Sequence, residues 1–129
     1  MIFLDSSFLI SVFAQDEENT PKSIQLLREQ TEHGIITDHI FEEVVTWLMK
    51  HRNPGIAFDA GRHMLENKRI DVLFVDRQKI EIALEIMKKY GGLSLCDSLS
   101  VLVMKENGIS KILSYDSDFD RFRGIERLH

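Results

Sequence analysis

Ile35-Ile36-Thr37 runs without a break into Asp38-His39-Ile40-Phe41-Glu42-Glu43-Val44-Val45-Thr46-Trp47-Leu48-Met49-Lys50. The first three residues have strand character. From His39 to Lys50, the residues Ile40, Phe41, Val44, Val45, Trp47 and Leu48 recur at offsets of three and four, which marks the apolar face of a helix. A strand that hands over directly to a helix is the repeating unit of an α/β protein.

The alternation continues in both directions. Ile2-Phe3-Leu4, Val72-Leu73-Phe74-Val75, Ile112-Leu113 and a weaker run near Ile125 read as further strands. Ser23 to Glu32, Gln78 to Tyr90 and Asp97 to Asn107 carry helical spacing, with Gly91-Gly92 and Gly108 as helix stops. Pro54 suits the first turn of another helix running through Phe58, Ala60 and Met64. Strands alternating with helices imply right-handed crossovers and a mostly parallel sheet covered on both faces. Sites in such sheets form beyond the carboxyl ends of the strands.

The 129 residues are expected to make one domain, 1–129, with one core. The balance of 43% apolar and 29% charged residues is that of a globular chain rather than a disordered one. A single cysteine, Cys96, rules out an internal disulfide and reads as a small buried side chain rather than a nucleophile. No basic stretch precedes Asp5 and no apolar run is long enough to span a bilayer, so the expectation is a soluble, cytoplasmic protein with no membrane partner. The net charge of −5 argues against coating nucleic acid by bulk charge. Acids gathered around a metal would account for much of that excess.

Four acids fall where an α/β site should lie. Asp5 follows the first strand, and Asp116 follows Ile112-Leu113-Ser114-Tyr115 in the same way. Asp97 opens the helix leading into that strand. Glu43 sits one turn inside the helix after the second strand, flanked by Ile40 and Trp47, at the border of the apolar stripe. Like charges brought together repel unless a cation intervenes. An oxygen-only set suits Mg²⁺ or Mn²⁺ rather than zinc, which prefers histidine and cysteine. Such ions serve phosphodiester hydrolysis.

Each acid also has an ordinary structural reading. Asp5 could cap the helix beginning at Ser6-Ser7-Phe8. Ser94-Leu95-Cys96-Asp97 reads as a capping box. Asp116, Asp118 and Asp120 could be turn formers, and Glu43 a solvated neighbour of Glu42. Singly, each is better explained this way; jointly, their position at one sheet end points to a site.

Four stretches then resemble the motifs of PIN domains: Met1-Ile2-Phe3-Leu4-Asp5-Ser6-Ser7; Thr37-Asp38-His39-Ile40-Phe41-Glu42-Glu43-Val44; Leu93-Ser94-Leu95-Cys96-Asp97-Ser98-Leu99; and Ile112-Leu113-Ser114-Tyr115-Asp116-Ser117-Asp118-Phe119. They occur in the family's order and span nearly the whole chain, whose length is similar to that of the prokaryotic VapC-type toxins. The resemblance implies a three-layer α/β/α fold with a five-stranded parallel sheet. It also implies an Mg²⁺- or Mn²⁺-dependent endoribonuclease with Asp5, Glu43, Asp97 and Asp116 as metal-binding catalytic residues, Asp118 as a further acid, and Ser6 and Ser114 in support. An antitoxin protein, an RNA substrate and a homodimer are the implied partners. Glu43 is preferred to Glu42 because it aligns with the motif and lies nearer the apolar border.

Lys50, His51, Arg52, Arg62, Lys68, Arg69, Arg121 and Arg123 are available to contact RNA, and Tyr115 to stack on a base, although a partly buried strand-end tyrosine is the plainer reading. A haloacid-dehalogenase-like phosphatase would need an acid at Ser7, and a receiver domain would need paired acids after the first strand. The remaining alternative is a catalytically silent PIN-like module that binds RNA or a protein partner.

Overall fold

The computed structural model describes residues 1–129. The elements in chain order are β1 (Ile2–Leu4), α1 (Ser6–Phe13), α2 (Asn19–Glu29), β2 (Gly34–Thr37), α3 (Asp38–His51), α4 (Pro54–Glu66), β3 (Ile70–Leu73), α5 (Arg77–Lys89), α6 (Leu95–Glu106), β4 (Lys111–Leu113), a 3₁₀ turn (Ser117–Arg121) and β5 (Glu126–Leu128). The strands form one sheet in the order β3-β2-β1-β4-β5, and all four pairings are parallel.

The sheet lies between two helical layers for a reason visible in β1. Successive strand residues point to opposite faces, yet Ile2, Phe3 and Leu4 are all fully buried. Both faces must therefore be covered. Helices α1 to α4 pack on one another in a chain, α1 against α2 and α3, and α3 against α4, while α5 and α6 form a second pair. α6 is buried continuously from Ser98 to Met104. The hydroxyls of Ser98 and Ser100 enter the core because each donates to the carbonyl four residues earlier, Ser94 and Cys96.

Local signals set the element ends. Thr37 ends β2 and accepts the Ile40 amide through its side chain, so strand and helix share one joint. Asn53 caps α4 ahead of Pro54. Gly108 closes α6 at φ +64°, a left-handed conformation that favours glycine.

Two boundaries differ from the sequence expectation. β3 occupies Ile70–Leu73 rather than Val72–Val75, because its partner β2 turns into α3 at Thr37. Past that joint Phe74 has nothing to pair with and stands 78% exposed, and the Val75 amide leaves the ladder for the Asp38 carboxylate at 3.0 Å. α2 begins at Asn19, one turn earlier than Ser23, and the helix Ser6–Phe13 adds a layer element for which the sequence offered only its cap, Asp5.

The topology locates the crevice. From β1 the chain steps outward through β2 to β3, then crosses to β4 on the opposite side of β1. The reversal falls between β1 and β4, and the carboxyl ends of those strands carry Asp5 and Ser114.

Candidate metal centre

The backbone brings Asp5 and β4 together first. Phe3 pairs with Ile112 and Leu4 with Leu113, and the Asp5 amide continues the ladder by donating to the Leu113 carbonyl at 3.0 Å. Asp5 then leaves the strand as the N-cap of α1, its carboxylate accepting the Ser7 amide at 3.4 Å.

Two hydroxyls meet the same oxygen of that carboxylate. Ser7 Oγ donates to Asp5 Oδ2 at 2.6 Å and Ser114 Oγ at 2.7 Å. Each hydroxyl also accepts a backbone amide from the loop after β4: Tyr115 on Ser7 at 3.0 Å and Asp116 on Ser114 at 3.0 Å. The pair thus ties the end of β1 to the loop that carries Asp116. Asp5 Oδ1 is buried and has no hydrogen-bond partner. Burial raises the Asp5 pKa above the ordinary carboxylate range, against the lowering effect of the Ser7 and Ser114 bonds.

The remaining acids arrive from α6 and the 3₁₀ turn. Asp97 is the third residue of α6 and completes a capping box with Ser94: its amide donates to Ser94 Oγ at 3.0 Å and its carboxylate accepts the Ser94 amide. Asp116 caps the turn by accepting the Asp118 amide at 2.9 Å. Carboxylate oxygens of Asp97, Asp116 and Asp118 all lie within 4.8 Å of one another. Burial, and then the charge of Asp5, push the Asp97 carboxyl up to about 6. The capping-box and turn-forming roles are therefore present, and they orient side chains that also converge.

Glu43 stands outside that three-acid group, exposed on α3. It does face the site: after burial, the Glu43 carboxylate is the next cause holding the Cys96 thiol well above its usual range, followed by Asp5 and Asp97. Glu43 and Asp97 thus both act on Cys96, which stays a neutral thiol. Glu42 is also exposed and is not among the groups acting on Cys96.

Of the two supporting serines expected, Ser114 meets the Asp5 carboxylate through its hydroxyl, whereas Ser6 acts on it only through its backbone; the second hydroxyl comes from Ser7. The sequence places serines at both positions, and only the turn of α1 decides which hydroxyl reaches back to the cap. Tyr115 is 41% exposed, its ring against Phe8 at 5.8 Å and its hydroxyl on Ser23 Oγ at 2.7 Å.

The donor set fits a hard divalent cation. It consists of carboxylate oxygens alone, with one buried oxygen unpartnered. None of Asp5, Glu43, Asp97, Asp116 or Asp118 is paired with a lysine, arginine or histidine. Burying like charges without a counter-charge is costly, and a cation is the group that would offset it.

No helix is long and apolar enough to cross a membrane. The PIN-domain family model matches residues 2–125. A VapC ribonuclease of Mycobacterium bovis and ribonuclease VapC13 of Mycobacterium tuberculosis are each 28% identical over 134 aligned positions, covering 99% of this chain and of each relative. Among solved structures, Mycobacterium tuberculosis VapC20, described as a sarcin-ricin-loop-cleaving toxin, superimposes with a TM-score of 0.85 at 23% identity over 94% of both chains. A toxin–antitoxin complex from Klebsiella pneumoniae gives 0.72 at 15% identity, covering 98% of this chain and 96% of that one. With its sheet order, its acids at the β1–β4 crevice and this match over nearly its full length, the chain belongs to the PIN-domain family.

Proposed function

We propose that this protein is a metal-dependent endoribonuclease that hydrolyses RNA phosphodiester bonds as the toxin of a toxin–antitoxin pair, with residues 1–129 forming a single nuclease domain. One observation carries the reading: three carboxylates converge beside a fourth whose buried oxygen has no partner, and none of the four forms an ion pair. The likeness to VapC ribonucleases supplies the substrate class.

In this reading Asp97, Asp116 and Asp118 offer oxygens from one side, Asp5 offers Oδ1 from the strand end, and Glu43 closes the rim beyond Cys96. Mg²⁺ or Mn²⁺ held there supplies Lewis acidity and charge neutralisation for attack of water on a phosphodiester. Ser7 and Ser114 occupy Asp5 Oδ2, so the carboxylate cannot rotate freely and Oδ1 is left as its one unpartnered oxygen. Asp97, whose carboxyl burial and the Asp5 charge push up to about 6, would hold a cation in its ionised form, so binding would release its proton below about pH 6. The N-termini of α1 and α6 begin at the same rim, and their free amides favour the phosphate. The protein acts in the cytoplasm as a homodimer, and an antitoxin protein silences it.

The test is cleavage of a mixed RNA pool by the purified protein in Mg²⁺ or Mn²⁺, set against EDTA and against Asp5→Asn. Cleavage with the metals alone, lost in the variant, supports the reading. An intact RNA pool under every condition, with metal binding retained by calorimetry, would instead favour a silent PIN-like binding module.

A further inference from the structure

A second concavity shares α6 with the acidic site. It has a volume of about 530 Å³ and runs along α6 beside the segment between the 3₁₀ turn and β5, within the ~300–1,000 Å³ usual for small-ligand clefts. Its floor is apolar, from Val101, Met104, Ile109 and Ile125, and its wall is Tyr90 packed against Phe122 at 4.8 Å. Lys105, Arg121 and Arg123 also line it, and no acidic residue does.

Arg121 joins this groove to the acidic centre. It ends the 3₁₀ turn that carries Asp118, donates through Nη1 to the Gly91 carbonyl at 2.9 Å, and holds its guanidinium 5.9 Å from the Tyr90 ring. The Lys89 ammonium lies 5.3 Å from the same ring. Lys105 and Arg123 form no ion pair, whereas Glu106 is held by Lys79 and Asp120 by Arg127. In a chain of net charge −5, an aromatic-walled groove with three cations and no acid is complementary to a polyanion that carries flat apolar rings.

We infer that this groove binds the single-stranded RNA leaving the metal centre, with an unstacked base on the apolar floor beside Tyr90 and Phe122 and its flanking phosphates on Arg121, Arg123 and Lys105. Stacking on aromatic side chains combined with cationic backbone contacts is the general chemistry of single-strand binding. The assignment of substrate class rests on the ribonuclease reading above.

Lys105 and Arg123 are exposed and bond to nothing in the fold, so their reversal tests the groove without disturbing it. We would measure the affinity of a fluorescent single-stranded RNA of random sequence by anisotropy in EDTA, for the full chain and for Lys105→Glu, Arg123→Glu and the control Arg28→Glu. The groove variants are expected to weaken binding roughly tenfold each. They should also flatten the dependence of log Kd on log salt by about 0.7 per lost phosphate contact, while Arg28→Glu, with the same change in net charge, stays near the unmodified protein. Equal affinities and salt slopes in all four proteins, or no RNA binding by the unmodified chain, overturn the proposal. So does a change of oligomeric mass or loss of a protein partner in Arg123→Glu with RNA affinity intact, which would make the groove a protein interface. Because the assay reads binding without metal, RNA bound but never cleaved in Mg²⁺ or Mn²⁺ would sink the nuclease reading and leave the groove standing.

Discussion

Ser114 Oγ donates a 2.7 Å hydrogen bond to Asp5 Oδ2 across 109 residues of sequence. Ser7 Oγ donates to the same oxygen at 2.6 Å. One carboxylate oxygen is thus saturated by hydroxyls while the other is buried and free. The fold has oriented this group at some cost to its own stability, and the predictions below follow from that imbalance.

Asp5→Asn keeps the shape of the side chain and removes its charge. Because burial raises the Asp5 pKa, the ionised carboxylate opposes folding of the metal-free protein. The variant is expected to melt at the same temperature as the unmodified protein or above it at pH 7 in EDTA, while losing RNA cleavage by at least about a hundredfold. Thermal melts by circular dichroism and cleavage rates on one preparation check both halves; full activity removes Asp5 from the site.

The pH dependence has a definite sign. In the folded, metal-free protein the Asp97 carboxyl is raised from its ordinary 3.8 to about 6, so the folded state binds the proton more tightly than the unfolded state does. The stabilisation from this group is complete below about pH 4 and is lost as pH rises through about 6. A divalent cation substitutes for the proton, so Mg²⁺ or Mn²⁺ should raise Tm more at pH 7 than at pH 5. Asp97→Asn should remove most of that difference, and scanning fluorimetry at both pH values decides the matter.

The serines separate by contact rather than by position. Ser114→Ala strips a buried donor from a carboxylate and leaves the Asp116 amide without its acceptor, so a loss of about 1.5–3 kcal/mol is expected in urea unfolding. Ser7→Ala should cost a similar amount, since it breaks the bonds to Asp5 and Tyr115. The hydroxyl of Ser6 makes no such contact, and Ser6→Ala should stay within about 0.5 kcal/mol. A Ser6→Ala variant as damaged as Ser7→Ala would contradict the assignment.

Glu42 and Glu43 are neighbours with the same exposure class. Of the two, only Glu43 acts on Cys96, which the charges of Asp5 and Asp97 also reach. Glu43→Gln should weaken Mn²⁺ binding and cleavage by about ten- to a hundredfold, and Glu42→Gln should leave both unchanged. Calorimetric titration of Mn²⁺ into the two variants reads the difference directly.

Cys96 explains why one part of the site was legible early. As a lone cysteine inside Leu93-Ser94-Leu95-Cys96-Asp97, it reads as a small packing residue, and its thiol is held neutral by burial and surrounding carboxylates. The four acids, too, stand at visible junctions: Asp5 and Asp116 after apolar runs, Asp97 at a capping box, Glu43 one turn into a helix. Glu43 faces the site yet lies outside the tight group of three, a distinction no spacing along the chain could supply.

Periodicity and junctions are local properties, and they determined the α/β class, the parallel sheet, most helices and the ends where acids would gather. Whatever depends on meetings between distant segments was decided by the tertiary structure. β3 stops at Leu73 because its partner strand turns away, although the apolar run continues to Val75. Ser7 rather than Ser6 reaches Asp5 because the first turn of α1 and the β1–β4 register aim it there. Asp118 enters the cluster because the chain after β4 folds into a 3₁₀ turn capped by Asp116. Hydrogen bonds and charge repulsion fall off within a few ångströms, so they respond to distances that exist only once the chain has closed on itself.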